Sequence, residues 1–200
     1  MDRRYIIGAG VLLVGVLGFL AACADQVSEQ ESSGVQVPVF EVNPLWPKPL
    51  PNHWVIGSTI GISIDSQDNV FVIHRASTID ANTELNVLHE PASAECCAPA
   101  PPVLEFDPEG NLVGWWGGPG DGYDWPSSNH GITVDHMDNV WIGGNGPDDG
   151  HILKFTRDGN FLLQLGRPGV GTGSNDPENF GRVAEVSIDL DGDEVFVADG

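Results

Sequence analysis

Two kinds of hairpin recur along this chain, and their order constrains the fold more than any other feature. GISIDSQDNVFVI (61–73), GITVDHMDNVWIG (131–143) and EVSIDLDGDEVFVA (185–198) each run as an alternating strand, an aspartate, a polar turn and a second alternating strand. VLEFDPEGNLVGWWG (103–117) and ILKFTRDGNFLLQLG (152–166) are the second kind: two strands around an EGN or DGN turn, closed by glycine. Alternation of apolar and polar residues is the period of a half-buried β-strand. Glycine or asparagine at the turns is expected to supply the positive φ of a tight hairpin.

One hairpin of each kind makes a unit of four short antiparallel strands, and equivalent positions Val103 and Ile152 lie 49 residues apart. That repeat predicts an all-β fold, a β-propeller built of four-stranded blades. Gly61 and Gly131 are 70 residues apart, and the excess falls in a long loop over residues 76–102. Propellers close with about four to eight blades, and roughly three fit here. The pattern breaks off at FVADG, so the propeller is expected to be incomplete at the C-terminus, within a protein nearer twice this length. A self-contained β-sandwich fits less well, because the repeat would leave an unpaired strand edge at the break. The 26 glycines and 15 prolines, with only 18% charged residues, suit short strands and many turns rather than a helical bundle.

The first residues carry a different signal. MDRR is a basic start, and YIIGAGVLLVGVLGFLAAC is apolar as far as Cys23, the pattern of an export signal. Its ending, Leu20-Ala21-Ala22-Cys23, resembles the bacterial lipobox, in which the cysteine becomes the lipidated first residue of the mature protein. The same apolar stretch is just long enough to serve as an uncleaved membrane anchor. The expected organisation is therefore a lipoprotein-type signal or anchor over 1–23, a polar tether over 24–38 and the propeller over 39–200. Either reading of the N-terminus implies a bacterial cell-envelope protein, held at the membrane with its folded part outside the cytoplasm.

Eight lysines and arginines against 29 aspartates and glutamates give a formal charge of −21. Such a surface repels nucleic acid and anionic membrane faces and attracts cations. Beyond Cys23 the cysteines are the adjacent pair Cys96-Cys97. In an exported chain these form a vicinal disulfide, pair with another chain or stay thiols, and two adjacent side chains make a poor tetrahedral zinc site.

Three local matches sharpen the repeat: VFVIHR (70–75) before the long loop, His-Gly-Ile-x-Val-Asp at 130–135, and LGRPGVGTGSNDPENFGRVAEVSID (165–189) leading to VFVADG. The hairpins look like NHL-repeat propellers. The order and spacing of the three matches resemble the peptidyl-α-hydroxyglycine α-amidating lyases, six-bladed propellers that cleave hydroxyglycine-extended peptides to an amide and glyoxylate. The resemblance covers roughly residues 40 to 200, the first half of such a propeller. It implies that His130 is a ligand of a catalytic zinc, that Arg75 faces the substrate, and that the backbone carbonyls of Ile62 and Ile132 hold a structural calcium on the central axis. It also implies that the remaining zinc histidines, and a tyrosine following the Asp-Gly of VFVADG, would lie after Gly200. FGRVAEV, with Arg182 and Glu185, stands where the family more usually has a proline-bearing strand entry, which leaves a non-catalytic relative open.

The chemistry agrees with these roles. A neutral imidazole is the commonest zinc ligand, zinc polarises a carbinolamide hydroxyl, and a guanidinium holds a carboxylate with two bonds. The plainer alternatives are a His130 that bonds a neighbouring loop and an Arg75 that pairs with a loop carboxylate. His136 and His151 are expected to be solvated at turns, His74 to pack, and His53 and His89 to lie outside any motif. The tryptophans mostly occupy positions that pack between blades, while Trp125 could line an entrance near His130. GNGPDDGH (144–151) lacks EF-hand spacing and reads as an ordinary Asp/Gly turn. Three functions fit one fold: a zinc-assisted lyase acting on a peptide or small-molecule carbinolamide, a non-catalytic binding scaffold, and a lactonase-like hydrolase built around calcium.

Overall fold

A computed structural model describes residues 37–79, 90–92, 96–169, 171–173, 175–189, 191 and 194–200. The signal or anchor with Cys23, the tether up to residue 36, and His89 lie outside the described residues. The chain divides into the units Met1–Val42 and Asn43–Gly200. In the first, Val37, Val39, Phe40 and Val42 are exposed. The architecture below is that of the second.

Twelve strands make up the described part of this unit: β1 (Trp54–Val55), β2 (Ser58–Ile64), β3 (Val70–Arg75), β4 (Ala98–Pro99), β5 (Val103–Phe106), β6 (Leu112–Trp116), β7 (Asn129–Val134), β8 (Val140–Gly144), β9 (His151–Phe155), β10 (Phe161–Gly166), β11 (Val183–Ile188) and β12 (Val195–Asp199). They form an antiparallel sheet β2-β3-β5-β6, a second sheet β7-β8-β9-β10 and a hairpin β11-β12, with β1 and β4 as a small parallel pair. These are two complete propeller blades and the first hairpin of a third, the all-β blade architecture that the repeat predicts.

The turns explain why the repeat is written as it is. In DSQDN, DPEGN, DHMDN and TRDGN, the N–H of the fourth residue bonds the carbonyl of the first, and the N–H of the first bonds the carbonyl of the last. The side chain of the first residue also accepts the backbone N–H of the final asparagine, in Asp65/Asn69, Asp107/Asn111, Asp135/Asn139 and Thr156/Asn160. Positive φ falls on the fourth residue, Asp68, Gly110, Asp138 or Gly159. The expectation that asparagine would take that conformation is corrected here. The asparagine instead turns its amide back to the first side chain, leaving the left-handed residue to glycine or aspartate.

Strand alternation then determines the packing. Phe71, Ile73 and Val103 of the first blade bury against Ile132, Val140, Ile142, Leu153 and Phe155 of the second. The neighbouring positions Trp141 and Ile152 point the opposite way and pack on Val183 and Val186 of the third hairpin. Val72, Leu104 and Phe106 form the other face of the first blade, under Trp46 and Trp54. Each fully buried aliphatic or phenylalanine side chain of this kind contributes about 1.5–3 kcal/mol. Among the tryptophans, Trp116, Trp125 and Trp141 pack between blades, whereas Trp46, Trp54 and Trp115 cover the far side of the first blade. Trp125 is therefore interblade packing, 6.1 Å from the Phe155 ring, and not part of an entrance.

The two blades neutralise their buried aspartates differently. Lys154 reaches Asp135 at 3.0 Å within its own blade and lies 4.5 Å above the Trp141 ring. The equivalent of Lys154 in the first blade is Glu105, which adds a second buried carboxylate beside Asp65. Arg157, from the β9–β10 turn of the neighbouring blade, pairs with both. One guanidinium thus closes a charge deficit across the blade boundary.

Two stability predictions follow from this arrangement. Removing a partner from a buried ion pair leaves an uncompensated charge, so Arg157→Ala should cost roughly 3 kcal/mol by chemical denaturation. Adding Glu105→Lys should restore most of it, by giving the first blade the arrangement of the second. Burial opposes ionisation of Asp135, but bonds from the Trp141 indole, the Asn139 backbone, Lys154 and the Met137 backbone outweigh it and bring its pKa to about 2. The folded value lies below the unfolded one, so this stability is present above about pH 4 and is lost as pH falls toward 2. Acid titration of unfolding should show roughly 2 kcal/mol less pH dependence in Asp135→Asn.

Candidate functional site on the loop face

Each inner strand breaks register at the same place: between Thr59 and Gly61, between His130 and Ile132, and between Val183 and Glu185. Bulges of this kind bend a strand and redirect a side chain. In the second blade the break falls at His130-Gly131, and Gly131 has a φ of 67°. A Cβ at Gly131 would collide with the carbonyl of Ala184 on β11. The glycine therefore lets the third hairpin approach, and His130 Nδ1 lies 2.8 Å from that same carbonyl oxygen. A carbonyl can only accept, so Nδ1 carries the proton and Nε2 keeps its lone pair. The partner is a strand backbone in the next blade rather than a loop.

Arg75 ends β3 on the same face. Its Nε donates to the Asn129 carbonyl at 3.1 Å, and Nη2 donates to Asn145 Oδ1 at 2.8 Å. Asn129 immediately precedes His130, so the structure brings the two predicted residues to adjoining positions. The alternative of a carboxylate partner for Arg75 is not what the described residues show; a carbonyl and an amide take its place. Asn145 is the repeat equivalent of Arg75, and it also accepts from Ser128 Oγ at 2.9 Å.

The loop carrying Asn145 is built around Asp149, which is 2% exposed. Its carboxylate accepts the backbone N–H groups of Ser127, Ser128 and Gly146. Burial disfavours the charge, yet these bonds hold the carboxyl below its ordinary range. GNGPDDGH is thus more than an Asp/Gly turn, because one of its aspartates organises the segment before His130. Composition hides this: a buried acid paired only with backbone leaves no charge partner to find in the sequence.

The other histidines divide clearly. His136 is exposed, as expected. His151 is not the solvated turn residue expected: it begins β9, is 1% exposed, and its Nε2 lies 2.6 Å from the Asp124 carbonyl. The GDGYDW loop covers it, a long-range contact that local turn residues do not reveal. His74 is fully buried, accepting the Gly57 N–H at Nδ1 and donating from Nε2 to Pro101. Burial pushes its pKa down against those carbonyl contacts, consistent with packing of a neutral ring. His53 is exposed, and its carbonyl accepts the N–H of Ala98. Cys96 and Cys97 are joined in a vicinal disulfide just before β4.

Ile62 and Ile132 line a groove of about 610 Å³ formed by the three inner strands. The Val134 N–H is taken by Ser63 Oγ rather than by β8, so the polar groups of Ile132, two residues earlier, face the same free edge. The carbonyl of Val186, the repeat equivalent of Ile62 and Ile132, accepts from Thr133 Oγ1 across that edge. Carbonyls on this edge suit a hard cation. Among the described residues there is no group of three His, Cys, Asp or Glu side chains placed to hold a metal.

These blades, with their Asp-x-x-x-Asn hairpins, define a β-propeller chain of the NHL type. The chain is similar to NHL repeat-containing protein 3 of Mus musculus, at 28% identity over 210 residues, which covers 96% of this chain and 52% of the mouse protein. It thus spans about half the length of the curated relative it matches. No family model matches the chain.

If Asp149 sets this face, Asp149→Ala should destabilise the protein by about 3 kcal/mol, since three backbone donors lose their acceptor. Denaturant titration would measure the loss. Amide exchange at Ser127, Ser128 and Gly146 should quicken more than exchange in β9.

Proposed function

We propose that the protein is an exported, membrane-tethered NHL-type propeller whose loop face is a ligand site, and that its chemistry is lyase-like, directed at a carbinolamide-type substrate with zinc. The observation that carries this reading is the His130 tautomer: with Nδ1–H committed to Ala184, Nε2 is left as an oriented lone pair. Metal-bound histidines usually show this arrangement, with the second nitrogen donating to a backbone carbonyl or carboxylate. His130 would hold the zinc through Nε2, together with ligands outside the described residues. When bound, zinc would supply Lewis-acid polarisation of the substrate hydroxyl.

The chain's own residues would do the positioning. Arg75, held at Nε and Nη2 by the second blade, would present its remaining face to a substrate carboxylate. The carbonyls of Ile62 and Ile132 would hold calcium at the groove and fix the inner strands. Lipidation at Cys23, or an uncleaved anchor, would keep the propeller at the bacterial envelope with its loop face outside the cytoplasm.

A second reading is a non-catalytic scaffold that binds a protein or small ligand. It is favoured by the fact that both His130 and Arg75 already make bonds between blades, which a purely structural role explains.

Metal analysis of the full-length protein separates the two. The lyase reading expects about one zinc per chain, lost in His130→Ala, with glyoxylate released from an α-hydroxyglycyl peptide. Undiminished zinc in the variant, or no glyoxylate from the wild type, leaves the scaffold.

A further inference from the structure

Cations are scarce in this chain, so where they go unpaired carries information. Of the eight lysines and arginines, Arg3 and Arg4 lie outside the described residues. Lys154 pairs with Asp135, Arg157 with Asp65 and Glu105, and Arg167 with Glu178. Lys48 donates to Asn111 at 2.6 Å, beside Asp107, whose carboxyl it helps hold down. That leaves Arg75 and Arg182 without a carboxylate partner among the described residues. In a chain with 29 acids, two arginines left without one on the same face are unexpected if they serve only as surface charge.

Arg182 is exposed just before β11. It lines a pocket of about 590 Å³ with Pro147, Gly171, Gly173, Gly181, Val197, Asp199 and Gly200. Pro147 stands two residues beyond Asn145, the amide that holds Arg75, and Ala184, two residues beyond Arg182, holds His130. The pocket therefore adjoins the positions already assigned to the ligand site. Its one acid, Asp199, does not serve the Arg182 side chain. Its Oδ1 accepts the backbone N–H groups of Gly181 at 2.6 Å and Arg182 at 3.0 Å, which leaves the guanidinium available.

We propose that Arg182 is a specificity-determining residue that binds a carboxylate of the ligand in this pocket. The proposal rests on the loop-face ligand site above but not on zinc or on bond cleavage. A planar guanidinium meets a carboxylate with two parallel bonds. A carboxylate is favoured over a phosphate because the repulsion from a net charge of −21 grows with the charge of the ligand.

Calorimetric titration of the full-length protein with hippurate, its neutral amide hippuramide, and inorganic phosphate tests this. Wild type should bind hippurate at least tenfold tighter than the amide and in preference to phosphate. Arg182→Gln should weaken hippurate about tenfold and the amide less than twofold, with an unchanged melting temperature, and Arg182→Lys should recover part of the loss. Equal weakening of acid and amide, no weakening of the acid, absence of hippurate binding to wild type, or preference for phosphate would each overturn the proposal. A wild type that holds no zinc yet separates acid from amide would remove the lyase reading and uphold this one.

Discussion

Every sheet in this chain is apolar on both faces, and that one constraint organises the rest. β3, β8 and β9 alternate between two buried sides, so Phe71 and Val72, Val140 and Trp141, or Ile152 and Leu153 serve different neighbours. A sheet of this kind cannot be stable alone in water and must be covered on both sides. Stacking blade on blade satisfies both faces with the same hairpin design used repeatedly. The Asp-x-x-x-Asn turns keep the strands in register, so that alternation reaches each boundary in phase.

The same boundaries build the candidate site. His130 bonds the third hairpin, Arg75 bonds the second blade, and Arg157 returns charge from the second blade to the first. None of these side chains completes its contacts within its own blade. The loop face therefore depends on blade packing for its tautomers and side-chain positions, which is how a rigid scaffold holds functional groups on loops and strand ends. Positions where one blade departs from the repeat are where these contacts occur: His130 against Ile60, Arg75 against Asn145, Glu105 against Lys154.

The repeat was legible because its causes are local. Two-residue alternation, the turn aspartate and the left-handed fourth position all act within about ten residues, and they give the blades, their order and the broken repeat at the third hairpin. His130 and Arg75 could be singled out because each departs from its repeat mate. What the sequence conceals is the set of contacts between distant segments. Burial of His151 under the GDGYDW loop, Asp149 bound only to backbone, and Arg157 serving two acids of another blade all join residues from 22 to more than 90 positions apart. No local pattern records them, because any of the chain's many acids could have been the partner.

The central claim is that blade packing, by committing His130 Nδ1–H to the Ala184 carbonyl, leaves Nε2 as the acceptor at the loop face. Long-range nitrogen–proton NMR of the histidine rings in the metal-free protein at neutral pH tests it most directly. The account predicts that His130 shows a protonated Nδ1 and a bare Nε2, and that this signature weakens when Gly131→Ala drives β11 away. A His130 found with its proton on Nε2, or averaging freely between both tautomers, would contradict it.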